Sequence, residues 1–207
     1  MTLPSVEQVV VVPYADAIAA ANYVEDDLAT PHALFDDFAM AGMSGVLEFV
    51  ALDFNHPLYI MFSSGTTGKP KCIVHGQGGT LLQHRKEHSL HCDLRPDEKI
   101  FYFTTTGWMM WNWLSSALAV GATVILYDGN PFYPDASKMF NLIDSEQINV
   151  FGTSAKFIDA CKKAQVNPRG DNDLSSLRCI LSTGSPLIAE SFDWVYENIK
   201  SDLMLAS

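Results

Sequence analysis

Apolar and polar positions along this chain follow two alternating rhythms. Short apolar runs at residues 9–12, 58–62, 99–104, 122–127, 148–152 and 178–181 carry the β-branched and aromatic content of strands. Longer stretches at 80–91, 108–120, 135–146, 155–165 and 188–199 repeat their apolar residues at helical spacing. Residues 14–53 are acid-rich and irregular, with one helix expected near 31–40. The segment 166–176, rich in Asn, Pro, Gly and Asp, reads as a surface loop. Strand and helix in steady alternation predict an α/β fold, a largely parallel sheet flanked by helices. In such folds the functional loops follow the carboxyl ends of strands, which selects residues 104–107, 128–134, 152–154 and 183–186.

One stretch carries chemistry on its face. Ser63-Ser64-Gly65-Thr66-Thr67-Gly68-Lys69-Pro70-Lys71 follows an apolar run expected to form a buried strand. The glycines lack a Cβ and let backbone N–H groups approach an anion. Four hydroxyls and two lysines add donors and positive charge suited to a polyphosphate. A Walker A loop needs four residues between its glycines and a hydroxyl after its lysine. Here two residues separate Gly65 from Gly68, and Pro70 follows Lys69. Cys72-Ile73-Val74 then suits a strand better than a helix, so the motif reads as a strand-loop-strand hairpin.

Composition narrows the partners. The 207 residues are 48% hydrophobic and 18% charged, with a formal net charge of −11. That balance suits a globular core and argues against nucleic acid, which needs clustered Lys and Arg. No run of eighteen apolar residues exists, so no membrane span is expected, and the first twelve residues do not read as a secretion signal. The four cysteines, Cys72, Cys92, Cys161 and Cys179, form no Cys-x-x-Cys pair, and reduced buried thiols in a cytosolic protein are the expectation. His84, His88 and His91 share one helical face, yet Arg85 and Lys86 lie between them. A solvated helix surface is the better reading than a zinc site, and no metal ligands are assigned. His75 either faces a nucleotide or fills a sheet edge.

Two further constellations complete the inventory. Trp108-Met109-Met110-Trp111-Asn112-Trp113 gives an adaptable apolar wall or a buried core helix. Gly184-Ser185-Pro186 is a turn whose backbone groups can hydrogen-bond a planar base.

The Ser63–Lys71 loop resembles the phosphate-binding signature of the adenylate-forming, AMP-binding superfamily of acyl-CoA synthetases. Residues 107–113, Leu126-Tyr127-Asp128-Gly129 and Leu181-Ser182-Thr183-Gly184-Ser185-Pro186-Leu187 are similar to the acetoacetate–CoA ligase branch of that superfamily. The resemblance implies two half-reactions: a carboxylate, here acetoacetate, attacks the α-phosphorus of Mg·ATP, and coenzyme A then displaces AMP. It assigns Ser63, Ser64, Gly65, Thr66, Thr67, Gly68, Lys69 and Lys71 to phosphate binding. Gly184, Ser185 and Pro186 fall to adenine, and Trp108 and Met109 to the acyl pocket. Ser185 stands where relatives usually carry a glutamate. ATP, Mg²⁺ and coenzyme A are the implied cofactors and co-substrates. The family's Gly-Gly-Thr-Asp-like motif, ribose-binding aspartate and C-terminal lid are not found, so residues 1–207 are expected to be an internal part of the large N-terminal domain without a complete catalytic set. A nucleotide-binding module without activity, or a ligase for another short acid, is the alternative.

Overall fold

The computed structural model describes residues 5–14, 30–42, 45–63 and 68–207. The chain divides into two compact units, Met1–Ala51 and Leu52–Ser207. In the first, β1 (Val9–Val11) runs parallel to β2 (His32–Leu34), and α1 (Phe35–Gly42) follows at once. The helix expected across 31–40 is therefore a strand followed by a helix. The partner that makes His32–Leu34 a strand lies more than twenty residues upstream, beyond the reach of local periodicity. Asp36 and Asp37 occupy the first turn of α1, where carboxylates complement the helix dipole.

The second unit is built on a five-stranded parallel sheet in the order β6-β5-β7-β8-β9. Its strands are β5 (Lys99–Tyr102), β6 (Thr123–Val124), β7 (Val150–Ser154), β8 (Cys179–Thr183) and β9 (Met204–Ala206). Strand alternation sends Phe101, Phe151 and Ile180 into one buried cluster, with residues of α4 (Lys138–Glu146), α5 (Ala155–Lys163) and α7 (Ala189–Asn198). Ile100, Tyr102, Val150 and Cys179 point the other way, into a cluster with Trp113 and Leu114 of α3 (Met109–Ser115). Covering both faces suits a parallel sheet and explains its almost unbroken apolar strands. The short helix α6 (Pro168–Asp171) and strand β9 lie where no regular element was expected. The helix expected across 108–120 splits into α3 and a 3₁₀ turn, Ser116–Val120.

Strand order decides where a ligand can enter. From β5 the chain moves to β6 on one side, then returns to β7 on the other, so the carboxyl ends of β5 and β7 flank a topological switch point. Gly152 lets the Tyr102 ring lie across β7 there, because a Cβ would sit 2.0 Å from a ring carbon. At the opposite end, Arg178 donates from Nε to Glu98 Oε1 (2.7 Å) and from Nη1 to the Cys92 carbonyl (2.9 Å). Its Nη2 reaches both Glu98 Oε2 and the Asp93 carbonyl. This fork fastens β8 to the loop entering β5.

A separate antiparallel hairpin joins β3 (Pro57–Ser63) to β4 (Lys71–Gly76), with Ser63 opposite Lys71 and Met61 opposite Ile73. The expected strand-loop-strand arms are present, but the first is not buried: Ile60 is 61% and Phe62 68% exposed. Two strands alone have no second layer to cover both faces. Cys72, on β4, is likewise exposed, unlike the expectation for the thiols; Cys92, Cys161 and Cys179 are buried. Burial pushes Cys92 up to about 11 and Cys161 and Cys179 up to about 12, so all three remain thiols at neutral pH. After the hairpin, α2 (Gln77–Lys86) runs into a π-helical turn, Glu87–His91.

Candidate functional site

A cleft of about 440 Å³ opens at the switch point. Tyr102, Thr104 and Thr105 border it from the end of β5, Thr153 and Ser154 from β7, and Thr183, Gly184 and Ser185 from β8. Trp108 and Met110 supply its apolar wall, and Lys156 is the one charged residue on its lining among the described residues. A second chamber, of about 460 Å³, shares Tyr102, Phe103, Thr104 and Thr105 with the cleft and continues to Trp111, Tyr127 and Asp128.

Each wall has a local cause. Trp108 is the N-cap of α3, in extended conformation, so its 71% exposed ring projects ahead of the helix. Ser154 caps α5 by accepting from the Phe157 N–H at 3.2 Å. Lys156 then falls in the first turn of α5, where a cation opposes the helix dipole. Gly184 has φ of +90°, a left-handed conformation that sharpens the turn after β8. Burial outweighs the lowering influence of the Thr183 side chain and pushes the Tyr102 hydroxyl up to about 12, so it stays neutral. The cleft thus offers hydroxyls, backbone groups, one cation and an aromatic wall, a set able to hold a polar anionic ligand with a small apolar part.

A family model described as AMP-binding enzyme matches residues 2–205. The chain belongs to the AMP-binding enzyme family. Among curated relatives, acetoacetyl-coenzyme A synthetase of Rhizobium meliloti (strain 1021) is 58% identical over 199 residues, 96% of this chain and 30% of that protein. Acetoacetyl-CoA synthetase of Danio rerio is 47% identical over 211 residues, 99% of this chain and 31% of that protein. The solved acetoacetyl-CoA synthetase from Streptomyces lividans aligns with a TM-score of 0.76 at 34% identity, covering 96% of this chain and 34% of that one. The chain therefore spans about 30% of the length of the curated relatives it matches.

Within this AMP-binding fold the sequence-selected residues separate into three groups. Trp108, Gly184 and Ser185 meet in the cleft, while Pro186 lies in an adjoining depression with Leu187 and Phe192. Met109 is half exposed and does not line the cleft; Met110, one position on, does. Of the phosphate-loop residues, Ser64, Gly65, Thr66 and Thr67 lie outside the described residues. Ser63 and Lys71 close the hairpin arms, Gly68 and Lys69 precede β4, and none of these four borders the cleft. The hairpin is tied to α3 by Asn112, whose Nδ2 contacts Met61 Sδ at 3.4 Å.

His91 is exposed, as a solvated face requires, whereas His84 and His88 depart from it. His88 is completely buried against Trp113, with their rings 4.1 Å apart. His84 is half-buried, and His75 sits opposite Tyr59 in the hairpin. The strand-end loops selected from the sequence supply Thr104, Thr105, Thr153, Ser154 and Thr183 to the cleft, whereas Tyr102 and Lys156 lie outside them and were missed. For Lys156 a signal existed: a lysine two residues beyond a serine N-cap breaks the usual charge preference of a helix start. No helix among the described residues is long and apolar enough to cross a membrane.

Proposed function

We propose that the protein carrying this chain is an ATP-dependent acid–thiol ligase that converts acetoacetate and coenzyme A to acetoacetyl-CoA through an acyl-adenylate. What carries the reading is the match of nearly the whole chain to acetoacetyl-coenzyme A synthetase. The cleft at the strand switch point supports it independently. In the first half-reaction the ionised acid attacks the α-phosphorus of ATP, which enters with Mg²⁺ as part of the substrate, and pyrophosphate leaves. In the second, the coenzyme A thiolate attacks the acyl carbon and AMP departs. Neither the acid nor its attack needs a general base, so positioning and charge stabilisation supply the rate.

Ser63, Ser64, Gly65, Thr66, Thr67, Gly68, Lys69 and Lys71 hold the outer phosphates in this reading. Gly184, Ser185 and Pro186 border the adenine, with the backbone of the turn replacing the side-chain acceptor that Ser185 does not supply. Trp108, with Met109 or Met110, walls the acid, and Lys156 offers it a counter-charge. We assign residues 1–207 to a larger AMP-dependent ligase domain and place the protein in the cytosol, as its free buried thiols suit a reducing compartment.

The test is pyrophosphate exchange with the whole protein across acetate, acetoacetate and longer acids. Acetoacetate is expected to exchange best. A tenfold preference for another acid replaces the substrate, and ATP binding with no exchange for any acid supports a nucleotide-binding module instead. Lys69→Ala is expected to slow adenylate formation by about tenfold or more, roughly 1.4 kcal/mol, and to spare thioester formation from supplied adenylate. Equal loss in both steps removes the phosphate role.

A further inference from the structure

We propose that His88, together with Glu87, is a positioning residue that sets the acid-binding wall of the cleft by clasping Trp113 at two points. The inference rests on the reading of the cleft given above. The clasp forms in the π turn Glu87–His91, an insertion of the kind that often accompanies functional sites. Glu87 Oε2 accepts from the Trp113 indole N–H at 2.7 Å. His88 Nε2 lies 3.0 Å from the Trp113 carbonyl oxygen and 3.1 Å from Ser116 Oγ. Two successive residues thus hold the side chain and the backbone of one tryptophan.

The chemistry fixes the state of the imidazole. A carbonyl oxygen only accepts, so His88 carries its proton on Nε2. Ser116 Oγ donates to the same carbonyl at 2.6 Å, which leaves its lone pairs to share the Nε2 proton. Nδ1 is then a bare acceptor, buried and without a hydrogen-bond partner among the described residues. A buried unpaired acceptor is unfavourable, and phenylalanine would fill this space without one. Histidine at this position is therefore explained by the bond Nε2 makes and not by packing.

That bond falls at a junction. Trp113 O lies near the end of α3, where the α-helix gives way to the 3₁₀ turn and carbonyls need donors from elsewhere. The Trp113 ring meets Tyr102 edge-on at 6.0 Å, and Tyr102 borders the cleft. Trp108 and Met110 enter the cleft from the opening turn of the same helix. Holding Trp113 therefore sets both the pitch of α3 and the seat of Tyr102.

The test compares His88→Phe, which keeps the ring and removes the donor, with His88→Gln, which restores an N–H near the Nε2 position. In the whole protein, His88→Phe is expected to raise the KM for acetoacetate in pyrophosphate exchange about tenfold and to leave the KM for ATP within twofold. His88→Gln should bring the acetoacetate value back within threefold of the parent. Hydrogen exchange of the α3 amides supplies a readout that needs no substrate, with exchange at least tenfold faster in His88→Phe and near parental in His88→Gln. Unchanged acetoacetate KM, equal change for both substrates, or no recovery in His88→Gln overturns the inference. If the parent exchanges pyrophosphate with no acid while α3 still loosens and recovers, the site reading fails and the clasp stands. Should His88→Phe not fold, Ser116→Ala takes its place, with an expected threefold rise in acetoacetate KM; no rise overturns the inference.

Discussion

The parallel sheet and the β3–β4 hairpin are made from equally apolar sequence, yet they end in opposite surroundings. Ile100, Val150 and Phe151 are sealed between helices, whereas Leu58, Ile60, Phe62, Ile73 and Val74 remain open on the hairpin. The difference lies in neighbours. Each inner strand of the sheet has a strand on both sides and helices above and below; each hairpin arm has one strand partner. The hairpin is anchored at its base instead, where the Gln77 N–H donates to the His56 carbonyl and Gln77 Nε2 to the Asp53 carbonyl, with one further contact nearer the loop, where Asn112 touches Met61. A rigid sheet that shapes a cleft therefore stands beside a lightly held arm that ends in the glycine-hydroxyl loop. Elements with few buried contacts open most easily, which suits a segment proposed to wrap a nucleotide.

The contrast can be broken at its strong side first. Phe151→Ala, in the middle of the sheet, is expected to lower unfolding free energy by about 3–5 kcal/mol, read by denaturant titration. Arg178→Met should cost roughly 2–3 kcal/mol by stranding the Glu98 carboxylate and two carbonyls, with the thermal midpoint falling accordingly. A weaker acid response comes next. Burial above all, against the pull of the Trp113 carbonyl, holds His88 below its ordinary value near pH 6.5. Below about that pH the unfolded chain takes up a proton that the folded chain refuses, so stability should fall from pH 7 toward 5. His88→Gln should flatten this limb, and an unchanged slope would remove His88 as its source. At the weak side, Ile60→Thr should shift stability by no more than about 0.5 kcal/mol; a loss comparable to Phe151→Ala would show that the hairpin is as tightly held as the sheet.

The sheet was legible because its strands are short apolar runs set between helical stretches. What stayed hidden depends on distant partners. Met204–Ala206 is three residues long and is a strand through pairing with Cys179–Leu181. Pro168–Asp171 carries proline at its helix start, a signal submerged in loop-like composition. The glycine-hydroxyl-lysine loop stood out because its chemistry is contiguous. The loops that hold Thr153, Ser154 and Thr183 were legible as strand ends, but their meeting with Tyr102 and Lys156 in one cleft was not, since it depends on strand order. His88 was misread because Arg85 and Lys86 suggest solvent, while the ring that buries it arrives 25 residues later.

The strand end from Tyr102 to Thr105 is a partition with a chamber on each side. Trimming a side chain there to enlarge one room redraws the other, so at that wall neither volume can be tailored alone. Selectivity engineered into one compartment of this molecule will be felt through the wall by whatever occupies the next.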